Sequence, residues 1–93
     1  MKIYQSRIFE KKIKNISKQE KAILDQQIKK IAENPFLGEE KRGHLRKVFV
    51  YKFKIKSTQY LLAYRIFQEN LELIMIGPHE NYYRDLKNYL KNR

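Results

Sequence analysis

Between Val48 and Ile76 three runs of apolar or alternating residues follow one another with only a few residues between them, and nothing else constrains the chain as much. In the first, Phe49, Tyr51, Phe53 and Ile55 fall on one side and Val48, Val50, Lys52 and Lys54 on the other, the period of a strand. In the second, Tyr60, Leu62, Tyr64 and Ile66 alternate with Leu61, Ala63, Arg65 and Phe67. Residues 57–59 make a tight connection between these two, and Gln68-Glu69-Asn70 a second turn. The third run, Leu71–Ile76, is nearly apolar throughout, as suits an interior strand, and Gly77-Pro78 ends it. Short links of this kind join antiparallel neighbours.

The first third of the chain has a different period. Residues 2–5 suit a short N-terminal strand, after which Ile8, Phe9, Ile13 and Ile16 recur at three- and four-residue steps, a helical stripe. Ser17-Lys18-Gln19-Glu20 has the spacing of a capping box and opens a second helix with Leu24, Ile28 and Ile31 on one face. Asn34-Pro35 stops it, since proline drives the preceding residue out of the helical region. Residues 36–47 read as a loop, and Tyr82, Leu86, Tyr89 and Leu90 mark the apolar face of a closing helix. The order strand, helix, helix, strand, strand, strand, helix predicts a small α+β domain spanning residues 1–93: an N-terminal strand, a two-helix hairpin packed on an antiparallel sheet, and a C-terminal helix. Ninety-three residues suffice for one hydrophobic core and no more.

Charge narrows the class of partner. The formal net charge of +11 attracts polyanions such as nucleic acid, an anionic surface or an acidic chain. A membrane is the weaker reading, because no segment approaches the roughly 20 apolar residues of a span, and the N-terminal stretch lacks the apolar run of a signal peptide, so a cytoplasmic location is expected. The absence of cysteine removes disulfides, thiol nucleophiles and thiolate metal sites. With His44 and His79 the only histidines, neither a metal nor a cofactor is expected.

Two constellations can carry chemistry. Lys52 and Lys54 project from the strand face opposite Phe49, Tyr51 and Phe53, and Arg65 joins them if the register allows. The same lysines also suit a solvated strand face that discourages aggregation. His79 follows the end of the third run, with Tyr83 one helical turn later. Histidine titrates near neutrality, at about 6.5 when unperturbed, and tyrosine can donate a hydrogen bond or stack on a base. Beside lysines these groups meet the needs of phosphoryl transfer on RNA: a base, an acid, and cations for the phosphate. Equally, His79 can cap the helix and Tyr83 pack in the core. Arg42, Arg46, Lys47, Lys56 and Arg84 are candidate RNA contacts, and His44 suits loop structure or a phosphate contact.

These pieces occur together in a known family. KRGHLRKVFVYKFKIKSTQYLLAYRI followed by LELIMIGPHENYY resembles the sheet half of the RelE/ParE superfamily of bacterial toxins, and SKQEKAILDQQIKKIAENP resembles its second helix. The resemblance implies the toxin of a type II toxin–antitoxin module, closer to the RelE branch: a ribosome-dependent mRNA endoribonuclease that needs no metal and directs a ribose 2′-OH at the adjacent phosphate. It implies that Lys52 and Lys54 match the paired basic residues of the Y-K-x-K strand, Tyr83 the late aromatic, and His79 a position held by arginine or histidine in relatives. The implied partners are an acidic antitoxin, the ribosome and mRNA. One departure is Leu61, where RelE carries an arginine; Arg65 replaces that charge only if it reaches the same pocket. The alternatives are a ParE-like inhibitor of DNA gyrase and a nonenzymatic basic RNA-binding module.

Overall fold

The structure, a computed structural model, describes residues 1–42 and 47–92. His44 and Arg46 lie outside the described residues. The elements are β1 (Ile3–Gln5), α1 (Arg7–Ile13), α2 (Lys18–Glu33), β2 (Glu39–Glu40), β3 (Phe49–Ile55), β4 (Thr58–Phe67), β5 (Asn70–Pro78) and α3 (Tyr82–Lys91). They form the α+β domain expected from the sequence, built on one five-stranded sheet of order β1-β5-β4-β3-β2. Neighbours from β2 to β5 pair antiparallel, whereas β1 joins β5 parallel, so the sheet is mixed.

Local chemistry explains the helix starts. Ser17 Oγ accepts from Glu20 N–H at 3.1 Å while the Glu20 carboxylate accepts from Ser17 N–H at 3.0 Å, which satisfies two otherwise orphaned donors of α2. These bonds hold the Glu20 carboxyl below the usual carboxylate range. At α1, buried Ser6 accepts from Phe9 N–H and donates to the carbonyl of Ile74, tying the helix start to β5. A helix of seven residues is not stable alone. Phe9, its fully buried side chain, anchors it on the sheet.

The core has two layers. On one face α1 and α2 cover Phe53, Ile55, Leu62, Tyr64, Leu71, Leu73 and Ile76. The opposite face is not open throughout: α3 packs Tyr82 and Leu86 in one cluster with Val48, Val50, Leu61, Ala63, Ile74 and Met75, while Lys52 and Lys54, further along β3 on the same face, stay exposed. In β5 Ile74 has no partner of its own, because Ala63 faces Met75 while Tyr64 faces Leu73. This bulge puts Ile74 and Met75 together on the α3 side and breaks the alternation of the strand. Buried Tyr64 fixes the turn after α2, its hydroxyl accepting from Gly38 N–H at 2.9 Å and donating to the Pro35 carbonyl at 2.8 Å.

Both hairpin turns are tighter than expected, two residues each, with Lys56-Ser57 after β3 and Gln68-Glu69 after β4. Gln68 and Glu69 both have positive φ, 51° and 66°, the pattern of a type I′ turn, although neither is Asn or Gly. Left-handed backbone costs ordinary residues roughly 1–2 kcal/mol each. Replacing the pair by Asn-Gly is therefore expected to stabilise the domain by about 1 kcal/mol after the entropic cost of glycine, measured by urea denaturation. A lower midpoint would contradict this account of the turn.

Candidate active site

The sheet register builds the candidate face row by row. Lys52 lies opposite Leu61, which lies opposite Gly77; Lys54 lies opposite Gln59, and the Tyr60–Pro78 pair leads directly to His79. With strands about 4.8 Å apart, His79 leaves the sheet two strand spacings, roughly 10 Å, from the Lys54 backbone. Both lysines and His79 are exposed. The Tyr82 ring lies over Gly77, 3.6 Å from where a Cβ would stand, an ordinary packing distance. Tyr82 donates its hydroxyl to the Met75 carbonyl at 2.6 Å, and burial pushes its hydroxyl pKa upward, so it serves as a structural pin.

The start of α3 then brings Tyr83 to this face. Asn81 adopts φ 59° and the Tyr82 N–H bonds to the His79 carbonyl, a sharp entry that turns the chain from the sheet into the helix. The His79 and Tyr83 rings meet edge to face with centroids 6.2 Å apart. His79 and Tyr83 thus pair at the N-terminal end of α3, on the sheet face that also carries Lys52 and Lys54. The four supply two ammonium groups for phosphate charge, an imidazole that can carry a proton, and a phenol.

Arg65 does not join them. It lies four residues beyond Leu61 on β4, roughly 13 Å along the strand, where Nε binds Glu72 Oε1 at 2.6 Å and the guanidinium sits over Phe67. The register therefore leaves Leu61, fully buried beside Lys52, without a cation in its place. Among the outer cations, exposed Arg84 contacts Asp85, its neighbour on α3. Lys56 occupies the β3–β4 turn within electrostatic reach of Glu20, at the α2 end of the other face. Lys47 lines a shallow depression with Phe36, Phe49 and Ile66, also away from the site. Arg42 is exposed just beyond β2.

Two residues escaped the sequence reading. Glu39 and Lys41 fall in the expected loop, but Glu39–Glu40 pairs with β3, and a Lys41 N–H bond to the Val48 carbonyl extends the edge. Glu39 and Lys41 consequently share the face of Val50 and Val48, the α3 side. Lys41 Nζ binds Glu39 Oε1 at 2.6 Å and lies 5.1 Å from the Tyr83 ring centroid. The Glu39 hydrogen bond raises the pKa of the Lys41 ammonium against the opposing effect of burial, with the Tyr83 hydroxyl adding to the rise. The same bond lowers the pKa of the Glu39 carboxyl, helped by Lys41 charge and, least, by Lys52. A two-residue edge strand carries no readable period, and the contact with Tyr83 is set by tertiary structure.

A concavity of about 890 Å³ lies elsewhere, between α1 and α3 over Met75 and Gly77. Neither lysine of β3 lines it, nor do His79 and Tyr83. No three metal-ligating side chains come together among the described residues, and none of their helices is long and apolar enough to cross a membrane.

The chain is a small basic α+β domain with an imidazole and a phenol paired at one helix end. Its sequence assigns it further: residues 3–87 match the model of the ParE-like toxins of type II bacterial toxin–antitoxin systems, and the chain belongs to that family. No curated protein matches it in sequence. Among solved structures it is similar to Escherichia coli RelE in the intact RelBE toxin–antitoxin complex, with TM-score 0.67 and 18% identity over 85% of this chain and 96% of that one. It is similar also to the isolated E. coli RelE toxin, TM-score 0.65 at 18% identity, covering 95% and 97%. E. coli RelE with two arginines replaced by alanine, in the free state, gives TM-score 0.72 at 16% identity, covering 99% of this chain and 95% of that one. At such identities these likenesses establish the RelE-like fold.

Proposed function

We propose that this toxin is an mRNA endoribonuclease of the RelE type that cuts messenger RNA on the ribosome and so inhibits translation. The observation that supports the reading is the edge-to-face pair of His79 and Tyr83 on the sheet face that also carries exposed Lys52 and Lys54. In the reaction, His79 takes the proton from a ribose 2′-OH, whose oxygen attacks the adjacent phosphorus. The bond to the 5′-oxygen breaks, leaving a 2′,3′-cyclic phosphate and a 5′-hydroxyl that receives a proton. Lys52 and Lys54 stabilise the charge gathered on the phosphate oxygens. Tyr83 offers its ring to a base or its hydroxyl to the leaving oxygen. Metal plays no part in this scheme. Arg65, held by Glu72 at the far end of β4, has no step in it.

The partner in the resting cell is an acidic antitoxin whose disordered segment folds on the toxin; the charge of +11 and the likeness to a toxin solved with its antitoxin support this. The toxin acts in the cytoplasm, where its ribosomal target lies.

Toeprinting of an mRNA on purified ribosomes, with a gyrase supercoiling assay alongside, tests the proposal. Cuts within the ribosomal A site are expected; intact mRNA with inhibited gyrase would assign the ParE-like alternative. Lys52→Ala/Lys54→Ala is expected to abolish cutting while stability stays within about 0.5 kcal/mol, the usual range for exposed positions. RNA affinity should also fall with salt at a log–log slope of about −0.7 per phosphate contacted. A double variant that cleaves normally would remove the lysines from the mechanism.

A further inference from the structure

A lysine beside the start of α3 is out of place on helix electrostatics. The N-terminal end of a helix carries partial positive charge and favours anions, yet Lys41 sits against Tyr83, in the first turn of α3. Its side chain is only 19% exposed, against 73% for Glu39. The Glu39 pair, with one partner so exposed, contributes little stability. Helix stability therefore does not explain the placement. What Lys41 does touch is the one aromatic of the site whose hydroxyl is not engaged in the core: Tyr82, beside it, is pinned to Met75, whereas Tyr83 is bounded by Lys41 at its face and by His79 and Tyr82 edge to face.

We infer that Lys41, held in place by Glu39, is a positioning residue that fixes the Tyr83 ring against His79; the inference rests on the ribonuclease reading for its consequence in catalysis, but not for the contact itself. An ammonium over an aromatic face is attracted by the ring's negative π-face, so Lys41 holds the Tyr83 ring by a cation–π contact. Because Glu39 and Lys41 are anchored by backbone bonds to β3, the strand of Lys52 and Lys54, the clamp sets the phenol relative to the lysines as well as to the imidazole.

The test is a double-mutant cycle in single-turnover cleavage, joined to a structural readout that needs no cleavage. Lys41→Met keeps length and removes charge, and is expected to slow cleavage by about 10- to 100-fold, the scale of a small misplacement of a reacting group. Affinity for an RNA carrying a 2′-deoxy residue at the scissile site should remain within about threefold, and Lys41→Arg should recover most of the rate. In a Tyr83→Ala background Lys41→Met should cost almost nothing further, because the ring it positions is gone. Equal losses in both backgrounds would overturn the inference. By NMR, nuclear Overhauser contacts between the His79 and Tyr83 rings should weaken in Lys41→Met; if they persist unchanged, Lys41 does not position the ring. Should no variant and no wild-type protein cleave RNA, the ribonuclease reading falls, and the NMR comparison still decides the clamp.

Discussion

His79→Gln is expected to slow RNA cleavage by about 10²- to 10⁴-fold, the usual contribution of one general acid or base, while RNA affinity stays close to that of the wild type. The separation of rate from binding follows from the site. His79 is exposed, its backbone sits beyond the last sheet pair, and it anchors nothing in either core layer. Glutamine retains hydrogen-bonding capacity and loses the ability to take up and release a proton. Tyr83 then separates two further roles. Tyr83→Phe keeps the ring, so a small effect assigns stacking, worth about 1–3 kcal/mol per base, and Tyr83→Ala should be much worse. A His79→Gln protein that cleaves at the original rate would move proton transfer to the lysines or Tyr83. Should the His79 and Tyr83 variants all inhibit growth as the wild type does while mRNA stays whole, the target is not RNA.

Phe9→Ala should bring the domain close to global unfolding. Removing a fully buried phenylalanine costs about 3–5 kcal/mol, and the whole stability of a chain this size is roughly 5–14 kcal/mol. The effect concentrates at α1, which is too short to persist without its anchor and is otherwise held by the bonds of Ser6 to β5. The urea midpoint should fall by at least about 1 M. Phe67→Ala, at a side chain more than half exposed, is the control and should move stability by no more than about 0.5 kcal/mol. An unchanged midpoint in Phe9→Ala would mean that α1 is not part of the cooperative core.

The fold could be read in the sequence where local signals agree with tertiary packing. The capping box at Ser17 and Glu20 and the period of two from Phe49 to Ile55 are such places, and both elements stand where expected. The failures share a cause: each depends on a partner far along the chain. The edge pairing of Glu39–Glu40 exists only because β3 offers it. Arg65 carries the right charge on the right face, but its distance from Lys52 is a matter of register, and register placed it opposite Glu72. Lys41 and Tyr83 are neighbours only once β2 and α3 are docked. The fate of the sheet's second face was hidden for the same reason, since the apolar stripe of α3 does not say which surface it will cover.

The irregularity at Ile74 decides which side of the protein the imidazole belongs to. Counting in twos from Leu71 and Leu73, both under the helical hairpin, an uninterrupted strand would carry Met75, Gly77 and His79 to that same side. One unpaired residue reverses the parity: Met75 passes to the α3 side, Ile76 turns under the hairpin, and His79 emerges beside Tyr83. The length of β5 therefore behaves as an odd–even switch. Single-residue insertions or deletions between Leu73 and Pro78 would exchange the hairpin side for the α3 side along the rest of the strand. Changes of two residues would preserve the side and alter only the reach.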